Sequence, residues 1–133
     1  MNIPFIENMG IEAGDNGSLY LSFNQKLLNH VGTIHASAQF TLAETQSGFY
    51  LELMFPQYRD KVVPLLRSSS VNYKQPATKD IYSVATASKE ALDKFDTQFL
   101  KKGRAVITVD VTLYDIDNSV TMTGEFSWFI QKV

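Results

Sequence analysis

The sequence predicts an α+β protein in which a curved antiparallel sheet wraps one long central helix. Three observations carry that expectation. The stretch from about Ile34 to Met54 contains no proline and does not alternate, and its apolar residues point in nearly every direction. Two long alternating runs, "AVITVDVTL" and "VTMTGEFSWFI", close the chain on either side of the turn-forming "DIDN". Shorter extended segments flank the helical stretch, and a helix that is apolar all round must be covered by other structure. One sheet curled around it is the simplest cover.

The elements follow in order. "IPFIENMGI" places Phe5, Ile6 and Met9 at helical spacing and ends at Gly10, which predicts a short helical turn. "SLYLSFN" alternates, with Leu19, Leu21 and Phe23 on one face and Tyr20 and Ser22 on the other, so it predicts a half-buried strand. Within Ile34–Met54, Ala36, Ala38, Leu42, Ala43 and Leu51 favour helix. Phe40, Leu42, Phe49, Tyr50 and Leu53 spread over its faces. Gly48 costs helix stability and predicts the close approach of a neighbour. Pro56 predicts that the helix ends just before it.

"LLRSSSVNYK" is extended and leads into Pro76. "KDIYSVATAS" puts Ile81, Ser83 and Ala85 on one face of a strand. "KEALDKFDTQFLKKG" is a second helix with Leu92, Phe95, Phe99 and Leu100 on its apolar stripe and Gly103 as its stop. In the closing hairpin, Ala105, Ile107, Val109, Val111 and Leu113 share one face of the first strand. Val120, Met122, Phe126, Trp128 and Ile130 share one face of the second.

Composition narrows the functional classes. The 133 residues suit a single domain, 1–133, and with 44% apolar residues the chain is globular rather than disordered. A net charge of −2 offers no basic stripe for a nucleic acid. The absence of cysteine removes disulfides, thiolate nucleophiles and Cys-based zinc sites, and fits a reducing compartment. No apolar run reaches the ~20 residues that span a bilayer. "MNIPFIENMG" lacks the basic start and apolar centre of a signal peptide. The expectation is a soluble, cytoplasmic protein that binds neither nucleic acid nor membrane.

The polar residues concentrate at the entry to the long helix. "LNHVGTIHASAQFTLAET" holds both histidines of the chain together with Asn29, Gly32 and Glu44. Its pattern resembles the entry of the central helix in hotdog-fold acyl-CoA thioesterases of the phenylacetate and human types, roughly N-x-x-G-T-x-H-G-G-x-x-x-x-L-x-[DE]. Asn29, Gly32, Thr33, His35, Ala36, Ser37, Leu42 and Glu44 stand at those places with the same spacing. "VNYKQPATKDIYSVATAS" and "TGEFSWFI" are similar to later strands of the same family, so the resemblance covers most of the chain. A small hotdog branch that keeps "GTxHAS" and "LAE" is more similar still.

The resemblance implies a hotdog fold and a set of roles. The backbone N–H of Ala36 would polarise the thioester carbonyl. The Glu44 carboxylate would activate water or attack the thioester carbon. Asn29 would orient water or substrate. His35 would hold the loop or the substrate carbonyl, with Gly32 and Ser37 beside it on the substrate-binding side. No metal and no resident cofactor are expected, and a coenzyme A thioester enters as substrate or ligand. The first turn of a helix carries unpaired N–H groups and a positive dipole end, which suits a developing oxyanion. A glutamate in an apolar helix can have its pKa raised into a useful range for a base.

Spacing adds a constraint. Ala36 and Glu44 lie eight residues apart, roughly 12 Å along one helix. One thioester carbon cannot touch both, so the two groups would serve one site only from different chains. That implies a homodimer or a homotetramer with its site at the interface.

Two departures from the pattern matter. Ala36 and Ser37 replace the two glycines; the alanine keeps the N–H donor but narrows the approach. Ser37 could bond a ligand or cap the helix. The enzymatic reading is thioester hydrolysis, and the alternative is a hotdog protein that binds an acyl ligand without hydrolysing it. A hotdog dehydratase ranks lower, because "HVGTIHAS" does not resemble the Pro- and Gly-rich segment of those enzymes. Phe40, Phe126 and Trp128 read as core or interface, and Phe40, Phe49, Tyr50 and Met54 would set the pocket length. Lys101, Lys102 and Arg104 read as a charged helix end rather than a phosphate site, and Ser68–Ser70 as strand surface.

Overall fold

The computed structural model describes residues 3–133. Helix α1 (Pro4–Met9) is followed by strands β1 (Glu12–Ala13) and β2 (Leu19–Leu21), and then by helix α2 (Ala36–Met54). Strands β3 (Val62–Tyr73) and β4 (Ile81–Thr86), helix α3 (Lys89–Lys102) and strands β5 (Arg104–Asp115) and β6 (Val120–Lys132) complete the chain. The strands form one antiparallel sheet in the order β1-β2-β4-β5-β6-β3. The sheet curves around α2, which packs on β2, β3, β4, β5 and β6. This is the α+β architecture that the sequence predicts.

Each element has a local cause. α1 stops where Gly10 takes a left-handed conformation at φ 77°. α2 ends at Phe55, whose N–H still bonds the Leu51 carbonyl, because Pro56 cannot continue the ladder. A Cβ at Gly48 would stand 3.2 Å from the Trp128 ring, so the predicted close approach is that of an indole. The β5–β6 hairpin buries Ile107 opposite Trp128, Val109 opposite Phe126 and Leu113 opposite Met122. Each such large side chain contributes about 1.5–3 kcal/mol through burial.

Four expectations need correction. The strand at "SLYLSFN" ends at Leu21, so Phe23 lies beyond it, partly exposed, with its N–H bonded to Asp80 Oδ1 at 2.6 Å. α2 begins at Ala36, because Ile34 is engaged in a bridge to Leu28 and in a 2.9 Å bond to the Ala77 carbonyl. Leu100 is 71% exposed; one residue past Phe99 turns the side chain about 100° off the buried stripe. In β6 the alternation slips, since Leu113 pairs with Met122 and Tyr114 with Val120, which leaves Thr121 as the extra residue of a bulge. Thr121 is therefore buried, and its carbonyl accepts the N–H of Lys74 at 2.8 Å.

The surroundings of α2 are more polar than its apolar residues imply. Gln39, Thr41, Thr45, Gln46 and Ser47 are all buried. Gln46 fixes the helix to the sheet: its Oε1 accepts the Leu19 N–H at 2.8 Å and the Ser83 hydroxyl at 2.6 Å, and its Nε2 donates to the Gly17 carbonyl at 3.0 Å. Leu53 and Met54, by contrast, are exposed at the helix end.

Candidate functional site

The loop before α2 is built by Asn29. Its Oδ1 accepts the N–H groups of Val31 and Thr33 at 3.1 and 3.0 Å, and its Nδ2 donates to Thr33 Oγ1 at 2.8 Å. Its own N–H bonds the Thr33 carbonyl at 2.8 Å, while its carbonyl accepts the Gly32 N–H at 3.2 Å. Gly32 sits at φ 80°, a conformation that the missing Cβ makes accessible. The loop is closed by the Leu28–Ile34 bridge, and the His35 N–H reaches the Leu27 carbonyl at 2.7 Å.

His35 then caps the helix. Its Nδ1 accepts the Ser37 N–H at 2.9 Å, so that nitrogen carries no proton. Its carbonyl accepts the N–H groups of Ala38 and Gln39 at 2.9 and 3.1 Å. The Ala36 N–H is the first-turn donor left over, with no acceptor among the described residues. The Ala36 carbonyl accepts the Tyr73 hydroxyl at 3.2 Å, which ties the helix start to β3. Burial raises the Tyr73 pKa. His30, His35, Ala36 and Ser37 are all exposed.

Glu44 lies in a different environment. It is half-buried on the wall of a cavity of about 420 Å³, and burial pushes its carboxyl above the usual carboxylate range. Among the described residues no cation pairs with it. Along α2 the same wall includes Thr45, Gly48, Phe49 and Phe55. Across from the helix stand Trp128 and Ile130 of β6, with Phe95 of α3 and with Ile3 and the α1 residues Phe5 and Ile6. The Thr45 hydroxyl, on a residue only 7% exposed, has no hydrogen-bond partner among the described residues. Tyr58, also on the wall, donates its hydroxyl to Asp96; burial first, then that bond and charge, push its pKa up to about 12.

The sequence-predicted residues thus fall into two groups. Asn29, Gly32, His35, Ala36 and Ser37 form one continuous helix entry, and none of them lines the cavity. Glu44 lines it alone. Of the residues expected to set the pocket length, Phe49 lines the cavity, while Phe40 packs on Phe126 and the Tyr50 hydroxyl accepts the Ala87 N–H. Trp128 is both core and cavity wall, and its Nε1 donates to Ser47 Oγ at 2.8 Å. Thr45, Phe95 and the α1 residues are additions that sequence reasoning missed. Gly48 was the visible signal, because a glycine inside a good helix asks what approaches it.

The family model of the domain of unknown function DUF4442 matches residues 5–130. The chain belongs to the DUF4442 family. No curated protein matches its sequence. Among solved structures it is similar to PA5026 of Pseudomonas aeruginosa, described as a probable thioesterase, at 24% identity and a TM-score of 0.81, with 98% of this chain and 89% of that one covered. It is also similar to BH2602 of Bacillus halodurans, solved with CoA, at 18% identity and a TM-score of 0.75, covering 98% and 77%. A third similar structure is PaaI of E. coli, from the phenylacetic acid degradation operon, at 11% identity and a TM-score of 0.71, covering 99% and 86%. This DUF4442 member therefore has the hotdog fold, as its helix-entry motif implied. Among the described residues no helix is long and apolar enough to cross a membrane.

Proposed function

We propose that this DUF4442 protein is a thioesterase-like hydrolase acting on an acyl-CoA at a site shared between two copies of the chain. The observation that carries the reading is Glu44, a half-buried carboxylate on the wall of an apolar cavity, with no cation paired to it among the described residues. Burial makes the carboxylate a stronger base than an exposed one. The unpartnered Ala36 N–H at the start of α2 supports an oxyanion donor, and the helix dipole adds to it. The similarity to PA5026, described as a probable thioesterase, and to BH2602, solved with CoA, supports the same reading.

The reaction divides the work between subunits. Glu44 takes a proton from water as the oxygen adds to the thioester carbon, and the carbonyl oxygen becomes an oxyanion held by the N–H of Ala36 of the partner subunit. Collapse of the intermediate breaks the carbon–sulfur bond, and the leaving thiolate takes the proton from Glu44. The products are a carboxylic acid and free CoA. Two copies are needed because Ala36 and Glu44 of one helix stand roughly 12 Å apart. β3 supports assembly: it is a twelve-residue edge strand paired only with β6, and Val63 and Leu65 are exposed on it. Within this scheme Asn29 and Gly32 shape the loop that presents the amide, and His35 and Ser37 hold the first turn.

A second reading, acyl-ligand binding without hydrolysis, rests on Ala36 and Ser37 standing where the family pattern has glycines. One assay separates the two. Acyl-CoAs are offered to the protein and released thiol is measured. Multiple turnovers that fall about 10²–10⁴-fold in Glu44→Ala support hydrolysis. Saturable binding with no thiol supports the second reading, and turnover unaltered by Glu44→Ala removes Glu44 from the chemistry.

A further inference from the structure

The identity of the acyl group is the open part of that reading, and the cavity constrains it. Its wall follows α2 from Glu44 to Phe55, about 16 Å of helix. The far end is aromatic, since Phe55 packs on Phe95 at 5.0 Å and on Tyr58 at 5.8 Å between ring centroids. The absence of a Cβ at Gly48 lets the Trp128 indole, pinned by Ser47, pack directly against the helix as a flat stretch of wall. Ile3 and the α1 residues Phe5 and Ile6 form the remaining cover. The charged residues of the wall are mostly acidic, which is unsuited to an anion. The cation on the wall, Arg59, already faces Glu52 at 3.7 Å, and Glu44 and Asp60 share that wall.

We infer that the cavity takes a linear, uncharged acyl chain of medium length, with its thioester end at Glu44 and its methyl end against Phe95. A volume of about 420 Å³ and the length of that wall accommodate on the order of ten to twelve carbons at the packing density of protein interiors. A short acyl group leaves the aromatic end empty. A dicarboxylic acyl group brings a second anion to a wall where, among the described residues, Glu44, Glu52 and Asp60 outnumber Arg59. The inference rests on the thioesterase reading for the position of the thioester, but occupancy by the chain is measurable without turnover.

Trp128 is the chain's single tryptophan and lines the cavity, so its fluorescence reports occupancy. The titration uses CoA thioesters of saturated chains from two to sixteen carbons, together with succinyl-CoA and phenylacetyl-CoA, with released thiol followed in parallel. Apparent affinity is expected to rise up to about fourfold per added methylene and to level off near ten to twelve carbons. Succinyl-CoA is expected to bind at least about tenfold more weakly than the uncharged four-carbon thioester. Val62→Phe, which fills part of the wall, is expected to move the plateau to shorter chains, and Ile130→Phe offers the same test should Val62→Phe fail to fold. A flat response to length, an optimum at two to four carbons, or a preference for the succinyl or phenylacetyl group overturns the inference. Chain-length-dependent binding without thiol release upholds it and removes the hydrolase reading. Hydrolysis indifferent to chain length does the reverse.

Discussion

The entry of α2 and its middle solve the problem of polar groups in opposite ways. At the entry, Asn29, Thr33, His35 and the first-turn amides bond one another, and most of these residues stay in contact with solvent. In the middle, Glu44 and Thr45 are wholly or partly buried, and one has no cation and the other no hydrogen-bond partner among the described residues. A self-bonded loop is a scaffold; here it leaves the Ala36 amide, at the start of the helix, without an acceptor among the described residues. Buried groups without partners cost stability and mark a place where a ligand or water would complete the bonding. Under the proposed hydrolysis, the entry would present the amide and the middle of the helix would supply the base.

The largest expected effect tests the middle of the helix. With Glu44 as base, kcat/KM falls tenfold per pH unit below the carboxyl's pKa, and this acid limb lies above the usual carboxylate range because burial raises the group. Stability follows the same shift. The folded-state pKa exceeds the unfolded one, so the group's contribution is fully present below about pH 4.3 and is lost as pH rises through the raised value. Glu44→Gln removes both dependences. A pH–rate profile and thermal unfolding of the two proteins check this, and an acid limb at an ordinary glutamate value would break the contrast.

The entry is tested next. Asn29→Ala leaves two N–H groups and the Thr33 hydroxyl without their partner, and it is expected to cost about 1–3 kcal/mol, read as a lower urea midpoint at constant slope. Unchanged stability would show that the loop does not depend on this residue. Smaller still is the cap: His35→Ala is expected to cost about 1 kcal/mol, and His35→Asn to recover most of it, because a short polar side chain also accepts the Ser37 N–H. The smallest effect belongs to Thr45. Thr45→Val removes a hydroxyl that bonds nothing, so stability is expected to stay within about 0.5 kcal/mol or to rise. A loss well beyond that would mean that Thr45 is satisfied in the free protein, and the two regions would then be alike.

Much of this architecture is legible in the residues themselves. Gly10, Gly103 and Pro56 end helices for local steric reasons, and the alternation of β5 depends only on its own neighbours. The helix-entry loop is equally local, since Asn29 and His35 bond groups two to four residues away. Local reasoning fails where a partner comes from far along the chain. Gln46 is polar yet buried because β2 and β4 supply its partners, and Thr121 turns inward because the bulge shifts the register of β6.

The sequence by itself determined the fold class and the distance between Ala36 and Glu44, because these follow from local patterning and from the fixed rise of a helix, and the hotdog helix entry was legible as a resemblance of motif. Only the tertiary structure decided that Glu44 shares a cavity with Trp128, Phe95 and α1, that Thr45 has no partner there among the described residues, and that the neighbour Gly48 admits is the Trp128 indole. Those facts depend on side chains far apart in the chain arriving at one place, and long-range packing, unlike spacing, leaves no periodic mark in the chain.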